Sequence, residues 1–200
     1  MLRDKKMKRI CVFAGSQLGL KSSYSKVAKK LGKQIAKNQM TIIYGGGSNG
    51  LMGVMANAAL EAKGRVEGVI TKKLHEIEIG HSKLTELTIV SSMHERKAIM
   101  AERSDAIICL PGGVGTWEEF FEAMAWNQLG IHSKPIILLN ISKYYSPLYS
   151  FVKKSVTEGF LPSTTLEDLF LIDNITEALN VIVKFKKKDL LSWNNRFNLN

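Results

Sequence analysis

Short apolar runs of strand length alternate along the chain with longer amphipathic stretches. Residues 9–14, 40–44, 65–70, 86–90, 105–110 and 135–140 read as strands, and residues 22–38, 51–63, 93–103, 116–130, 147–158 and 176–185 as helices. In the first helix Val27, Leu31 and Ile35 recur at i, i+4 and i+8, which places them on one face. Gly64 stands where a glycine would close the second helix. Residues 71–84 are polar and mixed and predict a long loop; residues 169–172 are a short apolar piece between the last two helices. A run such as residues 106–110, apolar at every position, suits a strand covered on both faces. Repeated strand–helix alternation over 200 residues is too short for an eightfold barrel. It predicts a single α/β domain over residues 9–184, a doubly wound Rossmann-like, mainly parallel sheet with helices on both faces.

Composition supports a folded body. With 45% hydrophobic residues the chain can bury a sizeable core. Its two cysteines, Cys11 and Cys109, are too few for a disulfide scaffold and sit in apolar runs. They read as buried thiols of a reducing, cytoplasmic compartment. No apolar run reaches the ~18 residues of a membrane span, and nothing near residue 1 reads as a secretory signal. The formal net charge of +10 raises the question of nucleic acid. Most of that charge lies at the ends, +4 in residues 1–9 and +4 in residues 184–200, and the basic segments 1–8 and 185–200 read as solvated tails. The near-neutral body and the lack of any zinc-finger, basic-zipper or aromatic RNA-binding motif speak against a nucleic-acid partner.

Candidate chemistry gathers where three predicted strands end. The first runs into Gly15-Ser16, the second into Gly45-Gly46-Gly47-Ser48-Asn49-Gly50, and the fifth into Pro111-Gly112-Gly113-Val114-Gly115-Thr116. Each turn precedes a helix. Glycine lets backbone amides come close to an anion, and a helix N-terminus adds unpaired N–H donors with a partial positive charge. Glycines can also simply make tight turns, but repeated turns at one sheet edge predict a phosphate cradle. No Walker motif is present. Gly45-x-Gly47-x-x-Gly50 fits the dinucleotide spacing, yet it follows the second strand, and only Glu67 loosely meets the expected acidic position.

Thr116-Trp117-Glu118-Glu119 has the form of a capping box, in which Thr116 caps the helix and Glu119 reaches back to its amide. The sharper alternative makes Glu119 a catalytic carboxylate over the cradle, with Glu122 and Trp126 along its face. Ser92-Met93-His94-Glu95 is a second capping box, placing Arg96 and Lys97 in a first helical turn where positive charge opposes the dipole. Either they are a solvent-exposed basic pair, or Arg96 binds phosphate or a ribose hydroxyl. His75, His81, His94 and His132 have no metal-ligand spacing. Glu76 and Glu78 read as solvated charge in the long loop.

Tyr44-Gly-Gly-Gly-Ser-Asn-Gly-Leu-Met-Gly53, Met93-His-Glu-Arg-Lys97 and Pro111-Gly-Gly-Val-Gly-Thr-Trp-Glu-Glu119 resemble the Lonely Guy (LOG) family of cytokinin riboside 5′-monophosphate phosphoribohydrolases, whose bacterial members were long mislabelled lysine decarboxylases. Trp126-Asn-Gln-Leu-Gly-Ile-His-Ser-Lys-Pro-Ile136 is similar as well, and the resemblance spans about residues 8–184. It implies a Rossmann-like fold and a catalytic pair, Arg96 and Glu119. It implies nucleotide contacts at Lys97 and at Gly113, Val114, Gly115, Thr116, Trp117 and Glu118, and a substrate contact at Glu78. To these the glycine turns add Ser16, Gly45, Gly46, Gly47 and Gly112. Family members are usually homodimers with active sites near the subunit interface. Where plant members carry a substrate-contacting Thr, this chain has Ala125.

The reaction so implied is hydrolysis of the N-glycosidic bond of a purine nucleoside 5′-monophosphate, with no cofactor and no metal. Three rivals differ in class: a nucleotide or molybdenum-cofactor carrier on the same fold, a pyridoxal-phosphate decarboxylase, and a nucleic-acid protein using the basic ends. A carrier has no need of a carboxylate beside the anion, and no lysine sits in a clear Schiff-base context.

Overall fold

The computed structural model describes residues 8–78 and 80–186; the predictions for tail residues 1–7 and 187–200 lie outside that range. Its strands are β1 (Arg9–Phe13), β2 (Thr41–Tyr44), β3 (Val66–Thr71), β4 (Glu86–Val90), β5 (Ala106–Cys109), β6 (Ile136–Leu139) and β7 (Leu169–Ile172). Its helices are α1 (Ser22–Lys37), α2 (Gly50–Glu61), α3 (Lys72–Glu78), α4 (Met93–Glu102), α5 (Val114–Gln128), α6 (Ser146–Thr157) and α7 (Ile175–Lys184). The strands form one sheet in the order β4-β3-β2-β1-β5-β6-β7, and every pairing is parallel.

Alternation within each strand feeds two cores. Ile10 and Val12 pack with Leu31 and Ile35 of α1, Met55 of α2 and Ile182 of α7. Cys11 and Phe13 face the other way, toward Met100 of α4, Phe120 of α5 and Val152 of α6. This two-sided burial is what the uniformly apolar strands require. Both cysteines are free and buried, and burial pushes both thiols upward. No helix among the described residues is long and apolar enough to cross a membrane.

Four local expectations are corrected. Residues 72–78 form α3 rather than part of a long loop, after which Gly80 bridges back to Gly47. Residues 169–172 form the seventh strand, beside β6. Lys63, not Gly64, takes the left-handed position after α2 (φ 59°), and the Gly64 N–H donates to Ala59 O at 2.8 Å. Gly64 serves close approach instead: a Cβ there would lie 2.5 Å from the Cβ of Ala36. Glu67 sits near the amino-terminal end of β3, away from the glycine turns, paired with Arg9 at 2.5 Å and Arg65 at 2.9 Å. It therefore cannot serve a dinucleotide at the opposite edge.

Candidate active site

The order of the sheet brings the three glycine turns together. β2, β1 and β5 are consecutive neighbours, and the chain reverses its direction of winding between β1 and β5. Such a switch point opens a crevice at the strands' carboxyl ends. The first turn is stitched to the other two: the Gly15 N–H donates to Pro111 O at 3.1 Å, and the Leu51 N–H to Gly15 O at 3.0 Å. A cavity of about 240 Å³ opens here, lined by Gly15, Ser16, Tyr24, Gly112, Gly113 and Tyr144 among others. Helix α5 starts after Gly113, and α2 after Asn49, neither with a side-chain cap. Cβ atoms added to Gly113 and Gly115 would meet nothing within 4 Å. The start of α2 is packed against the Ser16–Gln17 backbone, whereas the start of α5 is open, and an open, donor-bearing helix end of this kind can accept an anion.

Beside the cradle lies a buried ion pair. Ser92 caps α4 by accepting the Glu95 N–H at 3.1 Å. The Glu95 carboxylate turns to the Ser91 N–H and hydroxyl, at 3.0 and 2.8 Å, which hold its pKa below the ordinary value. This start to α4 points Arg96 inward, where it is 6% exposed. Its Nε donates to Val69 O at 3.0 Å and its Nη2 to Gly45 O at 3.4 Å, while Nη1 lies 3.2 Å from Glu119 Oε1. Gly45 makes room for this, because a Cβ there would lie 2.0 Å from Arg96 Nη2. The unfavourable dipole position of Arg96 is thus offset by two carbonyls and a carboxylate. The solvent-exposed reading of Arg96 does not hold.

Lys97 pairs with Glu118 at 2.5 Å and Glu122 at 2.9 Å. Desolvation works against its charge, but the two carboxylates outweigh it and raise its pKa. The capping box at Thr116 is not formed. α5 begins two residues earlier, so Thr116 lies inside the first turn, buried under Gly112. Glu119 reaches α4 instead of back to the Thr116 amide.

Of the other expected residues, Gly46 and Gly47 are held by loop contacts. The His81 N–H donates to Gly46 O at 2.9 Å, and the Tyr44 hydroxyl to Gly47 O at 3.1 Å. Val114 and Trp117 face outward and are exposed. Glu78 ends α3, close in sequence to the Gly80 bridge; its side chain lies outside the described residues. Ala125 lines a separate apolar cavity with Phe121, Phe151 and Phe160. Sequence reasoning missed Tyr24 and Tyr144, which wall the switch-point cavity. The available signal was an aromatic pair, Tyr144-Tyr145, just past the carboxyl end of a strand. Among the described residues no group of three His, Cys, Asp or Glu side chains could hold a metal ion.

Sheet order, the open start of α5 and the buried Arg–Glu pair define a Rossmann-like α/β protein with a crevice at its switch point and a carboxylate near the glycine turns. Residues 52–182 match the sequence model of a family described as "possible lysine decarboxylase". Among curated proteins, the cytokinin riboside 5′-monophosphate phosphoribohydrolase of Rhodococcoides fascians is 45% identical over 176 residues, 88% of this chain and 89% of that protein. A probable enzyme of the same name from Oryza sativa subsp. japonica is 48% identical over 185 residues, 92% of this chain and 76% of that protein. The chain belongs to this Lonely Guy family. The molybdenum cofactor binding protein of Rippkaea orientalis superposes with a TM-score of 0.67 at 23% identity, covering 89% of this chain and 96% of that one; at that identity the likeness concerns the fold.

Proposed function

We propose that this protein hydrolyses the N-glycosidic bond of purine nucleoside 5′-monophosphates, cytokinin riboside or adenosine 5′-monophosphate, to free base and ribose 5-phosphate. The observation that carries this reading is the Arg96–Glu119 pair, 3.2 Å apart and nearly buried, next to the glycine turns. The turns hold the 5′-phosphate with backbone amides and so fix the ribose over the carboxylate. Cleavage of the C1′–N bond leaves the electron pair on the base and builds oxocarbenium-like charge on the sugar. Glu119 stabilises that charge. A water oxygen bonds to C1′ and loses its proton to the carboxylate, which passes it on to the departing base.

Arg96 acts mainly through Glu119. Two of its nitrogens hold backbone carbonyls and the third faces the carboxylate, so it fixes the carboxylate's aim. Lys97, with its raised pKa, stays protonated. A Schiff-base lysine needs the neutral amine, so Lys97 suits ligand binding rather than decarboxylase chemistry.

The protein acts as a cytoplasmic homodimer in this reading. Support comes from an exposed apolar face on α5, α6 and the turn after α6, where Phe121, Phe151 and Phe160 line a cavity of about 300 Å³ and Trp117 is also exposed. Large exposed apolar patches mark association surfaces. Trp117 and Phe121 lie one helical turn apart on the exposed face of α5, whereas Glu119, two positions from each, turns the other way toward Arg96.

The test is a chromatographic assay for free base with nucleoside mono-, di- and triphosphates of adenosine and of its N6-isopentenyl derivative. Release confined to monophosphates is the expected result. Tight monophosphate binding with no base released would favour a carrier and overturn the hydrolase reading.

A further inference from the structure

The segment after β6 carries two adjacent tyrosines whose hydroxyls both reach the third glycine turn. Tyr144 Oη donates to Gly112 O at 2.5 Å, and Tyr145 Oη to Leu110 O at 2.6 Å. The two bonds have different consequences. In a trans peptide the carbonyl and the N–H point in opposite directions. Holding the Gly112 carbonyl therefore holds the Gly113 N–H facing away from Tyr144, at the bare start of α5. The Leu110 carbonyl shares its peptide with Pro111, which has no N–H. Tyr145 thus anchors the strand end and aims no donor.

The Gly112–Gly113 peptide needs such a hold. With glycine on both sides, rotation of the unit meets little steric resistance. The rotated form would turn a carbonyl oxygen toward the place of the anion. The backbone leading into Tyr144 is itself unusual. Ser142 and Lys143 are consecutive non-glycine residues with φ of 53° and 63°, a conformation that persists only where the surroundings enforce it. Here Ser142 Oγ meets Ser23 Oγ at 3.1 Å, Lys143 Nζ donates to Asp173 Oδ2 at 2.8 Å, and the Tyr145 N–H donates to Asn140 Oδ1 at 2.9 Å. The Tyr144 ring packs edge-on against Tyr24 and Tyr145.

We propose that Tyr144 is a positioning residue for the substrate's 5′-phosphate: its hydroxyl locks the Gly112–Gly113 peptide so that the Gly113 amide faces the anion. The proposal rests on the reading that the glycine turns take the phosphate of a nucleoside monophosphate. Its test compares Tyr144→Phe with Tyr145→Phe in the full chain, by calorimetric titration with ribose 5-phosphate and by steady-state kinetics on AMP. Tyr144→Phe is expected to weaken ribose 5-phosphate binding about tenfold and to raise KM by a similar factor, with the smaller part of the loss in kcat. Tyr145→Phe is expected to lower Tm while ribose 5-phosphate affinity stays within about twofold. Wild-type affinity in Tyr144→Phe, equal weakening in both variants, or no binding by the wild type would each overturn the proposal. If the wild type binds ribose 5-phosphate but releases no base, the hydrolase reading fails, and the two affinities still decide the role of Tyr144.

Discussion

Glu119 and Arg96 are coupled, and their substitutions separate chemistry from folding. Glu119→Gln keeps the side-chain shape and removes the charge. Base release is expected to fall by at least ~10²-fold, about 2.7 kcal/mol of transition-state stabilisation, with AMP still bound in a titration; wild-type turnover would remove Glu119 from the mechanism. Arg96→Ala is expected to cost as much in rate and to destabilise the fold as well, because Glu119 and the Val69 and Gly45 carbonyls each lose a charged or hydrogen-bonding contact. His132 contributes, in the same direction as His81, to the pH dependence of stability. Its Nδ1 lies 2.5 Å from Asn127 Oδ1, which also accepts the Lys134 N–H. Burial, helped by the charge of Lys134, lowers its pKa to about 4 from 6.5. The unfolded chain therefore takes up this proton first as pH falls. The contribution of His132 is complete above about pH 6.5 and is lost toward pH 4, by about 3 kcal/mol. Urea unfolding of His132→Gln should show a flatter slope over that window. At this scale the sequence displayed the charged residues but not their partners. Glu119 lies three positions after Thr116 and so fits a local capping rule, while its actual partner lies 23 positions away on another helix.

Helix starts show where local rules suffice. Ser92 forms the cap that its sequence announces, although the Glu95 carboxylate turns to Ser91. Ser92→Ala is expected to lower stability by about 1 kcal/mol in thermal unfolding, within the usual range for lost N-caps; a neutral result would show that the Ser91–Glu95 bonds alone start α4. The long helices and the core strands were legible because burial repeats in them with a fixed period. α3 was not, since Lys72-Lys73-Leu74-His75-Glu76-Ile77-Glu78 has no apolar stripe. β7 is four residues long and could be identified only through its pairing with β6. The start of α5 was misplaced because Gly113 and Val114 carry no capping side chain. The open end that suits an anion is the same feature that hides the boundary.

Across the whole molecule, the apolar face of α5 and α6 sets an expectation about assembly. Phe151→Asp combined with Phe160→Asp is expected to convert a dimer to a folded monomer in sedimentation velocity, because both rings are largely exposed in the single chain. A dimer that survives both changes would place the interface elsewhere. The sequence by itself determined a parallel sheet covered on both faces, the three glycine turns at its strand ends, and an arginine and a glutamate, Arg96 and Glu119, as the candidate chemical pair. Periodicity and glycine placement are local properties, and a linear reading reaches them. Tertiary structure alone decided that β5 returns beside β1, so that turns about 30 and 65 residues apart share one crevice. It alone buried Arg96 against Glu119 and brought Tyr144 onto the Gly112 carbonyl. Those contacts arise from strand order and helix packing, which depend on the whole chain finding its minimum together and leave no periodic trace along it.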